Sequence, residues 1–512
     1  MTESLATRSG DRTLRVNGKL IHSAFHPRRE ASRFVEALDI GTPQCILLLG
    51  AGVGYILEAL RCRFPGARLV SVALFPIRST ESTVAALADH SWSPDQPGSI
   101  SQFLAQAVHE LDSLSIAVVE WKSGTAVNGA LADSLRSEIT AYVRRSQGGL
   151  LSAGAQGIKR LRNAILNLQH FGTIRELRTI PGVKAIVVVA SGPSLEHSLS
   201  FISEFRDQLC VIATGSALRA LSCAKITPDI VVITESSPYA ALHLNQLRVD
   251  RSFKAPGVVP LSVCTSALML GSPVLFFSQD ELAESFFPRN GLLKIPALGS
   301  VTLSAIEVAR SLSTAPIILS GLDFAWEAGR SHARPHLSHE WHMAHAKRLS
   351  PIEGTSSQAL LTHTRVDISW TQDRSLRTYA EWFLTHGITR AAPLYCLSPS
   401  PVLANAVPEL SRDHLNGLPP VHEIRLKQDL AKPTDPTRAV TETLDRWDAT
   451  LRDLQIRELP SGLSLELLKT LAIKELVSWA AHSSSAELGR LAMNKAKDAL
   501  NRLKNLLDHV AA

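Results

Sequence analysis

The sequence predicts an α/β protein, with a Rossmann-like, doubly wound central domain, a smaller α/β domain before it and a helical domain after it. Three observations carry this expectation. Short apolar runs rich in Val and Ile alternate with segments of helical period through the middle of the chain, as the strands and crossover helices of a parallel sheet do. Several of those runs end in Ser, Thr, Gly, Asp or Glu, which marks the carboxyl edge where such sheets collect ligands. After Leu397 the strand signals stop and apolar residues recur at helical spacing. The expected divisions are 1–148, 149–400 and 401–512.

In chain order, Thr13–Val16 reads as a short strand, and the segment around Ala31, Phe34, Val35 and Leu38 as an amphipathic helix. Cys45–Leu49 is a strand, Gly50-Ala51-Gly52-Val53-Gly54 a glycine-rich turn, Ile56–Phe64 a helix and Leu69–Leu74 the next strand. A dinucleotide unit ends its second strand in Asp or Glu, and Ala73-Leu74-Phe75-Pro76 stands there instead, so the glycines are expected to serve close packing. Ile116–Trp121 is a later strand, followed by helices over Ser134–Arg145 and Leu161–Phe171; the second carries Asn163 and Asn167 on one face. Ile186–Ala190 is a buried parallel strand. The turn Ser191-Gly192-Pro193-Ser194 follows, then a helix from Leu195 to Phe205.

Leu209–Ala213 is the next strand, ending in Thr214-Gly215-Ser216, and Ile230–Thr234 follows with Glu235 at its end. Val258–Val263, Val274–Phe277 and Ile317–Leu319 are further strands. Gly299-Ser300 opens a helix, and Ser320-Gly321-Leu322-Asp323-Phe324 follows the last of these strands. Arg365–Trp370 resembles a strand and Asp373–Phe383 a helix. The tail is helical over Pro436–Glu458, Leu463–His482 and Ala486–Ala511, a packing or partner-binding bundle.

With 45% hydrophobic and 20% charged residues among 512, the chain has an ordinary globular composition. No apolar run approaches the roughly 20 residues of a membrane helix. Met1 to Gly10 places acidic and polar residues where a secretory signal has an apolar core, so a cytoplasmic location is expected. The six cysteines show no close pair and are expected to be reduced core thiols. The net charge of +6 comes from scattered residues. With 5% aromatics and no basic stretch interleaved with them, a single-strand stacking platform and a nucleic-acid partner are not expected.

The turn after Ile186–Ala190 is the chemically suggestive element. Gly192 admits close backbone approach, Pro193 suits a first helical position, and Ser191 and Ser194 add hydroxyls beside first-turn N–H groups, an arrangement that favours a phosphate. The strand-end residues Thr214, Gly215, Ser216 and Glu235 belong to the same edge. Five histidines at 332, 336, 339, 342 and 345 have spacings that could bring some onto one helical face for zinc. No carboxylate pattern of a zinc site accompanies them, so they read as a polar loop in which one histidine works, and no metal is expected.

Ser191-Gly192-Pro193-Ser194, Thr227-Pro228-Asp229-Ile230, Ser320–Phe324 and Ser331-His332-Ala333, in that order, resemble the motility accessory factors. Leu48–Tyr55 and Arg162–Asn167 resemble the flanking parts of the same family. The resemblance implies a glycosyltransferase that moves a nonulosonic acid of the sialic, pseudaminic or legionaminic type from a CMP donor to Ser or Thr of flagellin, supporting motility. The central part is also similar to sialyltransferases that use CMP-sugars. That likeness implies nucleotide contacts from Gly192, Pro193, Ser194, Gly299, Ser300 and Gly321, to which Ser191, Thr214, Gly215, Ser216 and Glu235 add by their place at the strand ends, and catalysis by Asp323 with His332, or second His336, as base. It implies no resident cofactor, with magnesium an optional companion of the nucleotide. Ala190 replaces the first glycine of the sialyltransferase turn, and Ala325-Trp326 stand where phosphate-binding tyrosines are expected.

Two other readings belong to different classes. One is a pterin pyrophosphokinase-like transferase, since archaeal enzymes of that activity resemble the same core. The other is a non-catalytic flagellin-binding chaperone whose helical tail grips a partner helix.

Overall fold

The structure is a computed structural model that describes residues 2–76, 87–108, 110–167, 176–180, 182–249, 255–265, 274–279, 281–286, 292–349, 351–388, 392–421, 424–427, 435–454, 462–481 and 485–511. Contacts group the chain into two compact units, Met1–Gly157 with Thr450–Asp498, and Ile158–Ala449 with Ala499–Ala512. The helical segment after residue 400 is therefore shared out. Trp447 of the helix Pro436–Arg452 is buried against Phe286 in the second unit, its ring centroid 5.2 Å away. Trp479 is buried in the first. As independent folding units, 1–148, 149–400 and 401–512 remain a proposal.

The first unit opens with an antiparallel ribbon of Thr2–Ala6, Arg12–Val16 and Lys19–Leu20. A parallel sheet follows, made of β1 (Cys45–Leu49), β2 (Arg68–Val72), β3 (His90–Trp92) and β4 (Ile116–Glu120) in the order β3-β2-β1-β4. Every residue of β1 is buried, as an uninterrupted apolar strand covered on both faces must be. The glycine-rich turn after it is filled by protein. A Cβ on Gly52, whose φ is +63°, would fall 2.5 Å from Ile21 Cγ2 and 2.7 Å from His22 Nε2. His22 stacks on Trp121, and Ala73, Leu74 and Phe75 are buried where a ribose-binding acid would stand. Close packing is what these glycines provide.

The second unit is built on eight parallel strands: β5 (Ala185–Val189), β6 (Leu209–Thr214), β7 (Ile230–Val232), β8 (Gly257–Pro260), β9 (Val274–Ser278), β10 (Leu293–Lys294), β11 (Ile317–Ser320) and β12 (Leu394–Leu397). Their order is β10-β9-β8-β7-β6-β5-β11-β12. The first strand, β5, thus lies between β6 and β11, and the strand order reverses beside it. That reversal is the switch point where a parallel sheet opens a crevice. Ile186, Val188, Ile212, Ile317 and Leu319 anchor the core beneath it.

Several elements differ from the sequence reading. The expected helices Ser134–Arg145 and Leu161–Phe171 are parts of one 39-residue helix, Gly129–Asn167; the stretch from 168 to 171 lies outside the described residues. Two of its internal glycines, Gly154 and Gly157, are packing positions: a Cβ on Gly154 would meet Ile473 Cγ2 at 2.1 Å, and one on Gly157 would meet Thr470 Cγ2 at 2.6 Å. Arg365–Trp370 is mostly the turn of a hairpin between Thr364–Arg365 and Trp370–Gln372. The tail helix expected over Leu463–His482 is two helices, Gly462–Leu471 and Ile473–Ala481.

The two kinds of helical glycine should separate on substitution. Gly148 is exposed, and a Cβ added there would have nothing within 4 Å, so Gly148→Ala should stabilise by roughly 0.5–1 kcal/mol. Gly154→Ala should destabilise by about 1–3 kcal/mol because Ile473 must move. Urea unfolding of the full chain checks both signs.

Candidate active site

The loops after β5 and β11 meet at the switch point and are tied together by one carboxylate. The Ser194 backbone N–H donates to Asp323 Oδ2 at 2.9 Å and the Ser194 hydroxyl to Oδ1 at 2.5 Å. Gly192 N–H donates to the Gly321 carbonyl at 2.8 Å. This approach explains both glycines: a Cβ on Gly192 would sit 2.4 Å from Asp323 Oδ2, and one on Gly321, at φ +69°, 2.5 Å from the Ala190 carbonyl oxygen. Substituting Gly192 with a larger residue would consequently probe folding before it probed nucleotide approach.

This corrects the expected use of the turn. The helix runs from Leu195 to Glu204, so Pro193 precedes it, and the Ser194 side chain makes no cap. The N–H groups offered to a phosphate are engaged: Ser194 with Asp323, Leu195 with the Gly192 carbonyl, Glu196 with that of Pro193 and His197 with that of Ser194. Asp323 is 3% exposed and fills the anion's place. Burial pushes its carboxyl up to about 6, against the lowering effect of the two Ser194 hydrogen bonds.

The neighbouring strand ends complete the edge. Thr214 is fully buried, its hydroxyl 3.4 Å from the Val189 carbonyl and 3.2 Å from Ser216 Oγ, so it braces the turn while Ser216 is half-exposed. Gly215 is buried beneath Ile233 and His243. Glu235 is exposed and accepts the Ser237 N–H at 2.7 Å. Asn163 donates to the carbonyls of Ser236 and Ser262, and Asn167 to those of Leu261 and Val263. The two asparagines that share a helix face thus hold the loops after β7 and β8. Gly299 has φ +76° with Tyr379 packed on it; Ser300 starts the helix Val301–Leu312 without a side-chain cap, and no acid stands in its first turn.

The histidines come in from the excursion after β11. Ala333 N–H donates to the Ser191 carbonyl at 2.8 Å, which draws the loop onto the switch point. His332 and His336 stack with centroids 4.0 Å apart and 6° between planes. Ser331 Oγ lies 2.7 Å from His332 Nδ1. His336 is 2% exposed and caps the helix Leu337–His345 by accepting the Ser338 N–H. A histidine acting as base ordinarily titrates near neutrality. Instead, burial first, then neighbouring His243, lowers His332 to about 4, and burial with His332, His243 and His339 lowers His336 to about 3. Both rings are therefore neutral at pH 7.

Sequence reasoning missed the groups that hold this loop. Glu196 Oε1 accepts from Arg330 Nη1 and from the Arg334 backbone N–H, both at 2.8 Å. Ser400 Oγ donates to the Asp323 carbonyl at 2.7 Å, and Gln372 Nε2 to that of Phe324, whose φ is +51°. His243 also escaped notice, since only the fold brings its helix beside the loop. Glu196, directly after the motif and in the first turn of its helix, was the one with a readable signal.

Comparisons with known proteins bear on the fold and the central segment. Residues 161–329 match the family described as 6-hydroxymethylpterin diphosphokinase MptE-like. The structure of the Maf glycosyltransferase from Magnetospirillum magneticum AMB-1 superposes with a TM-score of 0.56 at 13% identity, covering 99% of this chain and 90% of that one. Two uncharacterized proteins of Treponema pallidum (strain Nichols) are 30% identical over 273 residues and 31% identical over 186. These cover 52% and 34% of this chain, and the chain spans 56% and 31% of their lengths. The likeness to the motility accessory factors read from the ordered motifs is borne out, as is the α/β class.

Asp323 makes stability pH-dependent with a definite sign. Its folded pKa, about 6, lies above the ordinary 3.8, so between those values the folded state binds the extra proton. This contribution is full below pH 3.8 and is lost as pH rises through 6, on the order of 2–3 kcal/mol. Asp323→Asn keeps an acceptor for the Ser194 N–H and a donor for its hydroxyl, and should remove that pH dependence. Urea midpoints of both proteins between pH 4 and 7 check it.

Proposed function

We propose that this chain, which sets an MptE-like segment within the fold of a Maf glycosyltransferase, is itself a glycosyltransferase that moves a nonulosonic acid from a CMP donor onto Ser or Thr of flagellin. The observation that carries the reading is the meeting, at one switch point, of the Gly192–Ser194 and Gly321–Asp323 loops with His332 and His336. It takes place in the cytoplasm and supports motility.

In the reaction the acceptor oxygen forms a bond to the anomeric carbon while the bond from that carbon to the phosphate oxygen breaks. CMP leaves with the electron pair, and the hydroxyl proton passes to His332. For this, His332 Nε2 must be bare, so Nδ1–H donates to Ser331 Oγ. Because the Gly192–Ser194 turn is closed by Asp323, the departing phosphate is assigned to the Gly299-Ser300 turn. There the helix Val301–Leu312 presents an uncapped start, and Tyr379 lies against Gly299. Ser191 and Ser216, at the rim, and Glu235 face the nucleoside in this reading. No resident cofactor is needed, and magnesium would act only as counter-ion to the nucleotide.

The MptE-like match over residues 161–329 favours a second reading, pyrophosphoryl transfer from ATP to a hydroxymethylpterin with release of AMP. Thermal shift separates the two, because only the preferred nucleotide, CMP or ATP, stabilises the fold appreciably.

Purified protein incubated with CMP-nonulosonic acids and unmodified flagellin should add the mass of the sugar to flagellin. No gain with any donor, together with normal flagellin glycans in a deletion strain, overturns the reading. With His332 at about 4, protonation of its ring should lower kcat/KM only below pH 5, so any change between pH 5 and 8 belongs to Asp323, whose carboxyl sits at about 6. His332→Gln should lower kcat by roughly 10²–10⁴.

A further inference from the structure

His336 carries an observation the reaction does not use. Its Nδ1 accepts the Ser338 backbone N–H at 3.3 Å and lies 2.6 Å from Ser338 Oγ. A ring nitrogen that accepts a backbone N–H cannot itself bear hydrogen, so in the neutral ring the proton is on Nε2. That Nε2–H is buried and has no partner among the described residues, in a side chain 2% exposed. Buried donors left unmatched are costly and uncommon in native proteins. A second such nitrogen stands close by: His243 Nδ1 is buried without a partner, and its ring centroid is 5.4 Å from that of His336. His243 comes from the helix Ala240–Val249 and lies over Gly215, next to the Thr214–Ser216 turn.

We propose that His336 is a tautomer-locked hydrogen-bond donor to an oxyanion of the bound ligand, with His243 its buried companion, and that His336 takes up no proton in the reaction. This divides the stacked pair by role, and it rests on the glycosyltransferase reading for the identity of the ligand. The ligand atom is an oxygen of a phosphate or a carboxylate, both of which a CMP-nonulosonic acid contains. A metal centre is the competing use of three histidines. Among the described residues, no three His, Cys, Asp or Glu side chains are grouped to hold an ion. The low basicity of the ring agrees with a donor role, since burial first, and then the neighbouring His332, His243 and His339, disfavour its charged form.

The test reads the proton itself. In full-length protein labelled with ¹⁵N-histidine, two-bond correlations should show His336 as the Nε2–H tautomer, unchanged from pH 5 to 8. Its Nε2–H signal should move on adding CMP, inorganic phosphate or free N-acetylneuraminate, and the pattern of response assigns the oxygen to phosphate or carboxylate. The proposal is overturned by an Nδ1–H tautomer, by titration in that range, or by a signal that none of the three anions moves. Substitutions add a second readout. His336→Gln places an amide N–H near the Nε2 position and should hold the affinity for the responding anion within about threefold, whereas His336→Ala should weaken it about tenfold. Equal affinity in wild type and His336→Ala also overturns the proposal. A signal that moves with phosphate while no sugar reaches flagellin would sink the glycosyltransferase reading and leave this one standing.

Discussion

The carboxyl edge of the second unit's sheet depends on a carboxylate placed where a ligand's phosphate would be expected. A buried ionisable group is tolerated only when its oxygens are hydrogen-bonded, and Asp323 has the Ser194 N–H and hydroxyl on its two oxygens. The consequence is geometric. With the loops after β5 and β11 drawn this close, only glycine fits at 192 and 321. The Asp323 main chain is held in turn by Ser400, and the Ser191 carbonyl by Ala333. Glu196 completes the frame by binding Arg330 and the backbone of Arg334, the stretch on which His332 stands. The histidines are therefore placed by the same small set of bonds that closes the turn.

Which parts of this were readable follows from the range over which each signal acts. Strands such as Cys45–Leu49 and β5 are legible because a strand covered on both faces must be continuously apolar, a property of the strand alone. Which polar residues lie at the sheet's carboxyl end was legible for the same reason, since they directly follow such strands. What the sequence could not show is pairing. Ser194 and Asp323 are 129 positions apart, and nothing local says that one will close the anion site the other seems to open. Pro193-Ser194 before an apolar run looks like an exposed helix start, yet its N–H groups are already spoken for.

Glycine was ambiguous for a related reason. The same residue ends a helix, frees a turn or lets a neighbour approach, and the choice is made by what lies opposite. Gly154 and Gly157 lie between the two helices expected at Ser134–Arg145 and Leu161–Phe171 but sit in an unbroken helix, facing Ile473 and Thr470 from more than 300 positions away. Gly50-Ala51-Gly52-Val53-Gly54 reads as a nucleotide turn by its spacing; the missing acid after the second strand was the better guide, and Ile21 and His22 occupy the space.

The histidines raise the remaining question of chemistry. A base is usually most effective when its pKa lies near the working pH, and burial takes His332 well below it. For the proposed reaction this is not a defect. In an oxocarbenium-like transition state the leaving phosphate departs ahead of attack, so the acceptor oxygen carries little new bond and its proton becomes acidic only late. A weak acceptor suffices at that stage. A strongly basic imidazole would be protonated part of the time at neutral pH, and as a cation it could not take the acceptor's proton and would oppose the positive charge developing at the anomeric carbon. Keeping both rings neutral reserves the site's stabilisation for the charge that develops on the departing group.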